Sequence, residues 1–275
     1  MGLHTALALQ RAGFTVVAGA RSFSGDPAPG EDGIWRLPLD VTDKESILSF
    51  AQSAMHISPK VDALVNCAGI LTLGSCEETS REESQEVMQT NFFGTVAMIQ
   101  TVLPIMRRQR AGRIINFSSI LGIFGIPFQS AYTASKHAME GYTESLALEV
   151  KPFGIQVCLV EPGDHRGGSQ AYRRHAAALK GSSPYREAFQ RGTAVIDHDE
   201  RNGSDPDRLG EKVAHLLTRS RMPLRKLIAK PDQRLIVHIY TFLPVRVAQS
   251  ILTHYYLGKG ETVHDEKEES YSGAQ

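Results

Sequence analysis

Apolar positions along the chain follow two alternating rhythms. Short aliphatic or β-branched runs at 14–20, 34–39, 61–65, 113–118, 155–161 and 224–230 read as buried strands. Between them the apolar spacing is helical: Leu3, Ala6, Leu7, Leu9 and Ala12, closed by Gly13, then segments around 82–108, 131–150 and 207–220. Strands alternating with helices predict an α/β fold, a doubly wound parallel sheet with helices on both faces. Residues 22–33, rich in Gly, Pro, Ser and Asp, read as a loop. After 163 the pattern predicts helical stretches over 169–190 and polar, irregular chain over 192–206, where a mobile lid is expected. The reading is one domain over 1–230, an apolar helical segment over 231–260 packed on it, and a disordered tail over 261–275.

Length and composition narrow this little. The 275 residues, 41% of them hydrophobic, suffice for one full core. Thirty basic and thirty acidic side chains cancel, so no global field favours nucleic acid. The segment from Arg234 to Leu257 is apolar and aromatic, but Pro244, Arg234 and Arg246 argue against a membrane span. A pocket wall or packing helix is expected there, with peripheral membrane contact as the alternative. Cys67, Cys76 and Cys158 have no CxxC spacing and an odd count, which points to a reducing, cytoplasmic setting. No histidine has metal-site spacing, and Asp197-His198-Asp199-Glu200 reads as a solvated loop, so no metal is expected. No secretory signal or myristoylation pattern opens the chain.

The chemistry concentrates in Ile114-Ile115-Asn116-Phe117-Ser118-Ser119, a loop, and Ala131-Tyr132-Thr133-Ala134-Ser135-Lys136. Four residues apart on a helix, Tyr132 and Lys136 share one face. A free tyrosine, with a pKa of about 10, exchanges protons poorly near neutrality. An ammonium about 4 Å away would favour the phenolate by roughly 4 kcal/mol at an effective dielectric of 20. Ser119, at the strand's end, is placed to hydrogen-bond the oxygen on which the tyrosine acts. Together the three suit proton transfer at an alcohol or carbonyl oxygen. Tyr255-x-x-x-Lys259 repeats the spacing but has no preceding strand ending in Ser-Ser.

With these and four further motifs, the chain resembles the short-chain dehydrogenase/reductase family over roughly residues 1–230. Asn66-Cys67-Ala68-Gly69 looks like the family's Asn-x-Ala-Gly, implying that Asn66, Ala68 and Gly69 hold the sheet and border the cofactor. Asn91 looks like the helix asparagine that binds a water in the proton relay. Ser119, Tyr132 and Lys136 match the catalytic serine and Tyr-x-x-x-Lys, with Lys136 also holding ribose hydroxyls by resemblance. Pro162-Gly163 matches the pair beside the nicotinamide, and Asp40-Val41 the pair beside the adenine. The helix text after Lys136 is similar to members acting on steroids, retinoids and other lipophilic alcohols. The resemblance implies hydride transfer between a nicotinamide and a secondary alcohol or carbonyl, and a homodimer or homotetramer. A non-catalytic NAD(P)-binding sensor, or an inactive truncated relative, is the alternative.

Two departures stand out. Of the family's Thr-Gly-x-x-x-Gly-x-Gly only the last glycine survives, as Gly2, and the first strand is missing before it. In a sheet of order 3-2-1-4-5-6 that strand is central, so strands 2 and 4 are expected either to stand apart or to pair directly. A start upstream of Met1, or a damaged relative, would each account for it. Secondly, the threonine that often follows Pro-Gly by four residues is Gly167 here, with Ser169 a poor substitute. Cofactor choice follows from Ala20-Arg21-Ser22. A strand-end carboxylate would bind ribose hydroxyls, whereas Arg21 suits a 2′-phosphate, favouring NADP over NAD.

Overall fold

A computed structural model describes residues 1–25, 27–169, 172–177 and 181–258. The chain opens on helix α1 (Gly2–Arg11), which packs on α7 (Pro206–Thr218). The two come so close that a Cβ at Gly210 would collide with the carbonyl oxygen of His4. Strands β1 (Val17–Ala20) and β2 (Trp35–Pro38) pair in parallel, Val17 opposite Trp35. Helix α2 (Lys44–Ile57) follows, its first turn capped by Asp43, which accepts from the Glu45 amide at 3.0 Å.

A second parallel ladder runs in the order β3 (Ala63–Asn66), β5 (Gly112–Phe117), β6 (Ile155–Pro162) and β8 (Arg225–Ile228). Strand periodicity sends β5 side chains alternately to two cores. Ile114 joins Val102 and Met106 of α4 (Gly94–Gln109) and Leu146 of α5 (Ser130–Val150). Ile115 and Phe117 join Leu9 of α1 and Leu209 and Val213 of α7. Both faces of the ladder are thus covered, as the apolar strand runs predict. A small parallel pair, β4 (Leu71–Leu73) with β7 (Arg173–His175), lies beyond the main strands.

The two main ladders do not meet. Among the described residues no hydrogen bond joins β1 to β3, so of the two arrangements open to the sequence the separated one is found. Ala63, Leu64 and Val65 of β3 stay half-exposed, while β6 is buried at all but one position.

Four segments differ from the sequence reading. The expected helix over 82–108 is α3 (Arg81–Met88) and α4, separated by a π-helical turn, Gln89–Phe93. Residues 192–206 are not irregular. Most belong to α6 (Arg186–Arg201), where Ile196 and Glu200, four apart, turn inward and leave the polar run wrapped round the last turn. Conversely, the described residues of 169–190 are largely non-helical, holding β7 and only the start of α6. The apolar segment after 230 is two helices, α8 (Pro231–Phe242) and α9 (Val245–Leu257), because Pro244 cannot donate the hydrogen bond that would continue α8. No helix among the described residues is long and apolar enough to cross a membrane. The tail at 261–275, and Lys259 of the second Tyr-x-x-x-Lys, lie outside the described residues.

Candidate active site

The carboxyl end of β5, the start of α5 and the loop after β6 meet at one cleft. Ser119 leaves β5 in extended conformation, and its Oγ accepts from the Leu121 amide at 3.1 Å. The loop before α5 is pinned by Phe128, whose φ of 65° is left-handed and rare for a residue with a side chain. Its carbonyl accepts from the Gly74 amide at 3.0 Å, and its ring meets Phe189 edge-on at 5.2 Å. Held this way, α5 turns Tyr132 toward Ser119, and Ser119 and Tyr132 both line the cleft. One turn on, Lys136 is buried. Its Nζ donates to the Phe117 carbonyl at 2.7 Å and lies 5.5 Å from the centre of the Tyr132 ring.

The electrostatics depart from expectation. Burial holds the Tyr132 phenol above its ordinary value, the nearby acidic groups add to this, and the hydrogen bond with Ser119 only partly offsets it. Burial also pushes Lys136 down to about 8. The expected lowering of Tyr132 by Lys136 is therefore not found: desolvation outweighs the ion–phenolate attraction when both groups are enclosed and the ammonium is turned to a carbonyl. At neutral pH Tyr132 carries its proton.

Asn91 sits within the π-helical turn, and its side chain is fully engaged. Oδ1 accepts from the Ile70 amide at 2.7 Å, and Nδ2 donates to the Ile70 carbonyl and to Ser135 Oγ, each at 3.0 Å. The side chain thus fixes the loop after β3 against α5, and its own backbone carbonyl takes the Thr95 hydroxyl at 3.1 Å. Asn66 also acts within the sheet. It donates to Asn116 at 2.8 Å, and Asn116 donates to Thr143 of α5 at 2.9 Å. Ala68 and Gly69 follow Asn66 in the loop, and a Cβ at Gly69 would lie 3.4 Å from Asn91 Oδ1 and 4.0 Å from Lys136 Nζ. Pro162 and Gly163 line the cleft opposite Tyr132's helix. Gly2, in the first turn of α1, stands against Cys67, a Cβ there reaching the cysteine's at 3.5 Å.

A second groove gathers the other cofactor candidates. Arg21 and Thr42 line it together with Arg81 and Phe93. Asp40 accepts the Thr42 amide at 2.9 Å and hydroxyl at 2.7 Å, which lowers its carboxyl, Arg21 adding to the effect. Asp40 thus forms the turn into α2, while the cap itself is Asp43. Val41 fills the space left by the missing side chain of Gly94.

The residues fit a nicotinamide dinucleotide at its two ends. Lys136 uses one of its three N–H donors on protein, leaving two for other acceptors. At the far end Arg21 shares its groove with another guanidinium. Among the described residues no group of three or more His, Cys, Asp or Glu could hold a metal.

Sequence reasoning missed the network on the cleft's outer wall. Arg173, its side chain 8% exposed, pairs with Glu200 at 2.7 Å and with Asp197, and Ser169 donates to Glu200. Ser169, weighed as a stand-in for the absent threonine, is taken up here. The available signal was the four-residue spacing of Ile196 and Glu200 within the run read as a loop.

A parallel sheet carrying serine, tyrosine and lysine at its carboxyl end defines a class of dehydrogenases, and residues 1–177 match the family described as short chain dehydrogenase, to which this chain belongs. It is an NAD(P)-dependent oxidoreductase of that family. Among its relatives, a 3-ketodihydrosphingosine reductase of Bacteroides thetaiotaomicron is 37% identical over 93% of each chain. Human retinol dehydrogenase 8 is 35% identical over 68% of this chain and 61% of its own. A short-chain dehydrogenase structure from Streptomyces avermitilis superposes with a TM-score of 0.75 at 28% identity, covering 92% of this chain and 91% of that one.

Proposed function

We propose that this protein reduces the carbonyl group of a lipophilic substrate, drawing its reducing equivalents from NADPH. The observation that carries the reading is that Ser119 and a protonated Tyr132 line one cleft, with buried Lys136 one helical turn behind the tyrosine. Reduction builds negative charge on the carbonyl oxygen, and a protonated phenol is the group to neutralise it. When bound, the reduced nicotinamide supplies the hydride. Ser119 hydrogen-bonds the substrate oxygen, Tyr132 donates its proton to it, and Lys136 supports the charge left on the phenol and holds ribose hydroxyls. Asn91 keeps the loop and helix around Lys136 in register, and by its resemblance to the family's helix asparagine it orders a relay water. Leu71, Ile126 and Ile196 give the cleft an apolar side, in keeping with relatives named for ketodihydrosphingosine and retinol.

Arg21, with Ala20 in place of a carboxylate, supports NADP over NAD. Asp40 and Val41 would border the adenine, Gly2 the phosphates, and Asn66, Ala68, Gly69, Pro162 and Gly163 the nicotinamide half. The protein acts in a reducing compartment, the cytoplasm, consistent with three free cysteines. It works as a symmetric homodimer or a tetramer built from one. In an NADPH-oxidation assay with a long-chain ketone, Tyr132→Phe should lower kcat at least about a hundredfold. A variant retaining wild-type kcat would remove Tyr132 from the chemistry.

A further inference from the structure

Helices α8 and α9 are apolar on both faces. Their inner residues Val237 and Leu252 are buried with Ile120, Leu121 and Phe124. Ile120 and Leu121 line the cleft, and so does Tyr256 of α9, so this helical hairpin forms part of the cleft's wall. The outer face is apolar as well. Leu235 and Phe242, two turns apart on α8, are both exposed, Phe242 at 83%. On α9 Val247 and Ile251, one turn apart, are exposed too, as is Val245 beside the connecting Pro244. A helix apolar all round ordinarily has something against each face, and a contiguous apolar patch marks a place of contact.

Charge says what kind of surface the patch meets. From Gln233 to Gly258 the chain has no Asp or Glu, and the next carboxylates, from Glu261 on, lie outside the described residues. Arg234, His238, Arg246 and His254 are all exposed. Asp199 and Asp232 act on Tyr255, near the end of α9 remote from Val245, so these acids stand at the other end of the hairpin from Phe242. A two-fold contact between copies would set this cationic face against its twin, with no carboxylate of the hairpin to answer it. An anionic lipid surface answers both features. Arginine stems lie along apolar surface while their guanidiniums reach the lipid phosphates. No described helix is long and apolar enough to cross a membrane, so the hairpin is suited to lie at the interface and not to span it.

We propose that the turn between α8 and α9 docks this protein on anionic lipid membranes, with Phe242, Val245, Val247 and Ile251 entering the headgroup–acyl boundary and Arg234 and Arg246 meeting lipid phosphates. The docked element is then the one whose Tyr256 walls the cleft, which gives a membrane-dissolved substrate a short way to Tyr132. Only that last step rests on the reductase reading.

Flotation of the full chain with vesicles tests docking without turnover. Phosphatidylcholine vesicles with about 30% phosphatidylglycerol should carry at least about fivefold more protein than pure phosphatidylcholine, and about 0.5 M NaCl should remove most of the difference. Phe242→Glu and Val247→Glu should each cut binding to the anionic vesicles at least about tenfold, and Arg246→Glu at least about fivefold. Leu48→Glu, an exposed leucine on α2, should leave it unchanged. All four positions face solvent, so the variants should melt at the wild-type temperature, which separates lost docking from lost fold. Equal binding to both kinds of vesicle, binding to neither, or a loss as large with Leu48→Glu as with Phe242→Glu would overturn the docking surface. So would a wild type that leaves vesicles unbound while Phe242→Glu lowers its oligomeric state in light scattering, since the patch would then join two copies. Docking as described by a protein that reduces no ketone would uphold this surface and remove the reductase reading.

Discussion

At Lys136 burial and two neighbours act against each other over one proton. Burial pushes the ammonium down to about 8, and the negative charges of Cys67, if ionised, and Glu140 act in the opposite sense. Glu140 is itself pushed up to about 7, by burial first, and pairs with Arg225 at 2.6 Å beside Glu161 and Glu144. Above about 8 Lys136 loses its charge and with it the support for a developing phenolate. Reductive kcat/KM should therefore decline as pH rises through about 8 in a pH–rate profile. Across that limb Glu140 is ionised, so Glu140→Gln removes a charge that favours the ammonium and should move the limb to lower pH. An unmoved limb would detach it from Lys136. Arg21 is the matching test at the cofactor's other end. Arg21→Ala should weaken NADPH more than NADH in fluorescence titration, because the charge-assisted bonds to the 2′-phosphate go. Equal weakening would count against NADP preference. That Ser119, Tyr132 and Lys136 come together was legible because the Tyr132–Lys136 spacing is local and Ser119 ends a strand. The protonation of Tyr132 was not, since it depends on burial that three separate segments produce together.

Among the elements, α5 does two jobs. Its inner face carries Lys136, Glu140 and Thr143, all buried. Its outer face exposes Leu148 at 77%, and Phe93, at the junction of the π-helical turn and α4, is 50% exposed. Apolar side chains so open on the helices that cover the ladder support pairing of two copies across a two-fold axis. Light scattering at micromolar concentration should report a dimer or tetramer, and Leu148→Glu should shift it toward monomer. A monomeric wild type would refute the assembly. Strand and helix order could be read from the sequence because buried parallel strands are continuous apolar runs and α5 keeps one helical period. The π-helical turn at Gln89–Phe93 could not: its reason is Asn91 reaching Ile70, a contact 21 residues away in sequence. Nor could the split of the last apolar segment into α8 and α9 be placed by periodicity, although Pro244 marks the break.

For the whole molecule, the alternation of strands and helices was enough to set the class, and the topological argument about order 3-2-1-4-5-6 anticipated one of two outcomes at its centre. Across the gap the ladders share a core without sharing hydrogen bonds: the cluster of α1, α7, β5 and β6 also takes in Val16, just before β1, and Ala63 and Val65 of β3. That divided sheet should leave a signature in time. In a parallel strand alternate amides point to opposite neighbours. Strand β5 has partners on both sides, so all its amides should exchange with deuterated solvent slowly, on the scale of global opening. Strand β3 has a partner on one side, and its exchange should alternate fast and slow from residue to residue, a two-beat rhythm readable by NMR. Uniformly slow exchange along Ala63–Asn66 would mean that in solution the open side of β3 is closed.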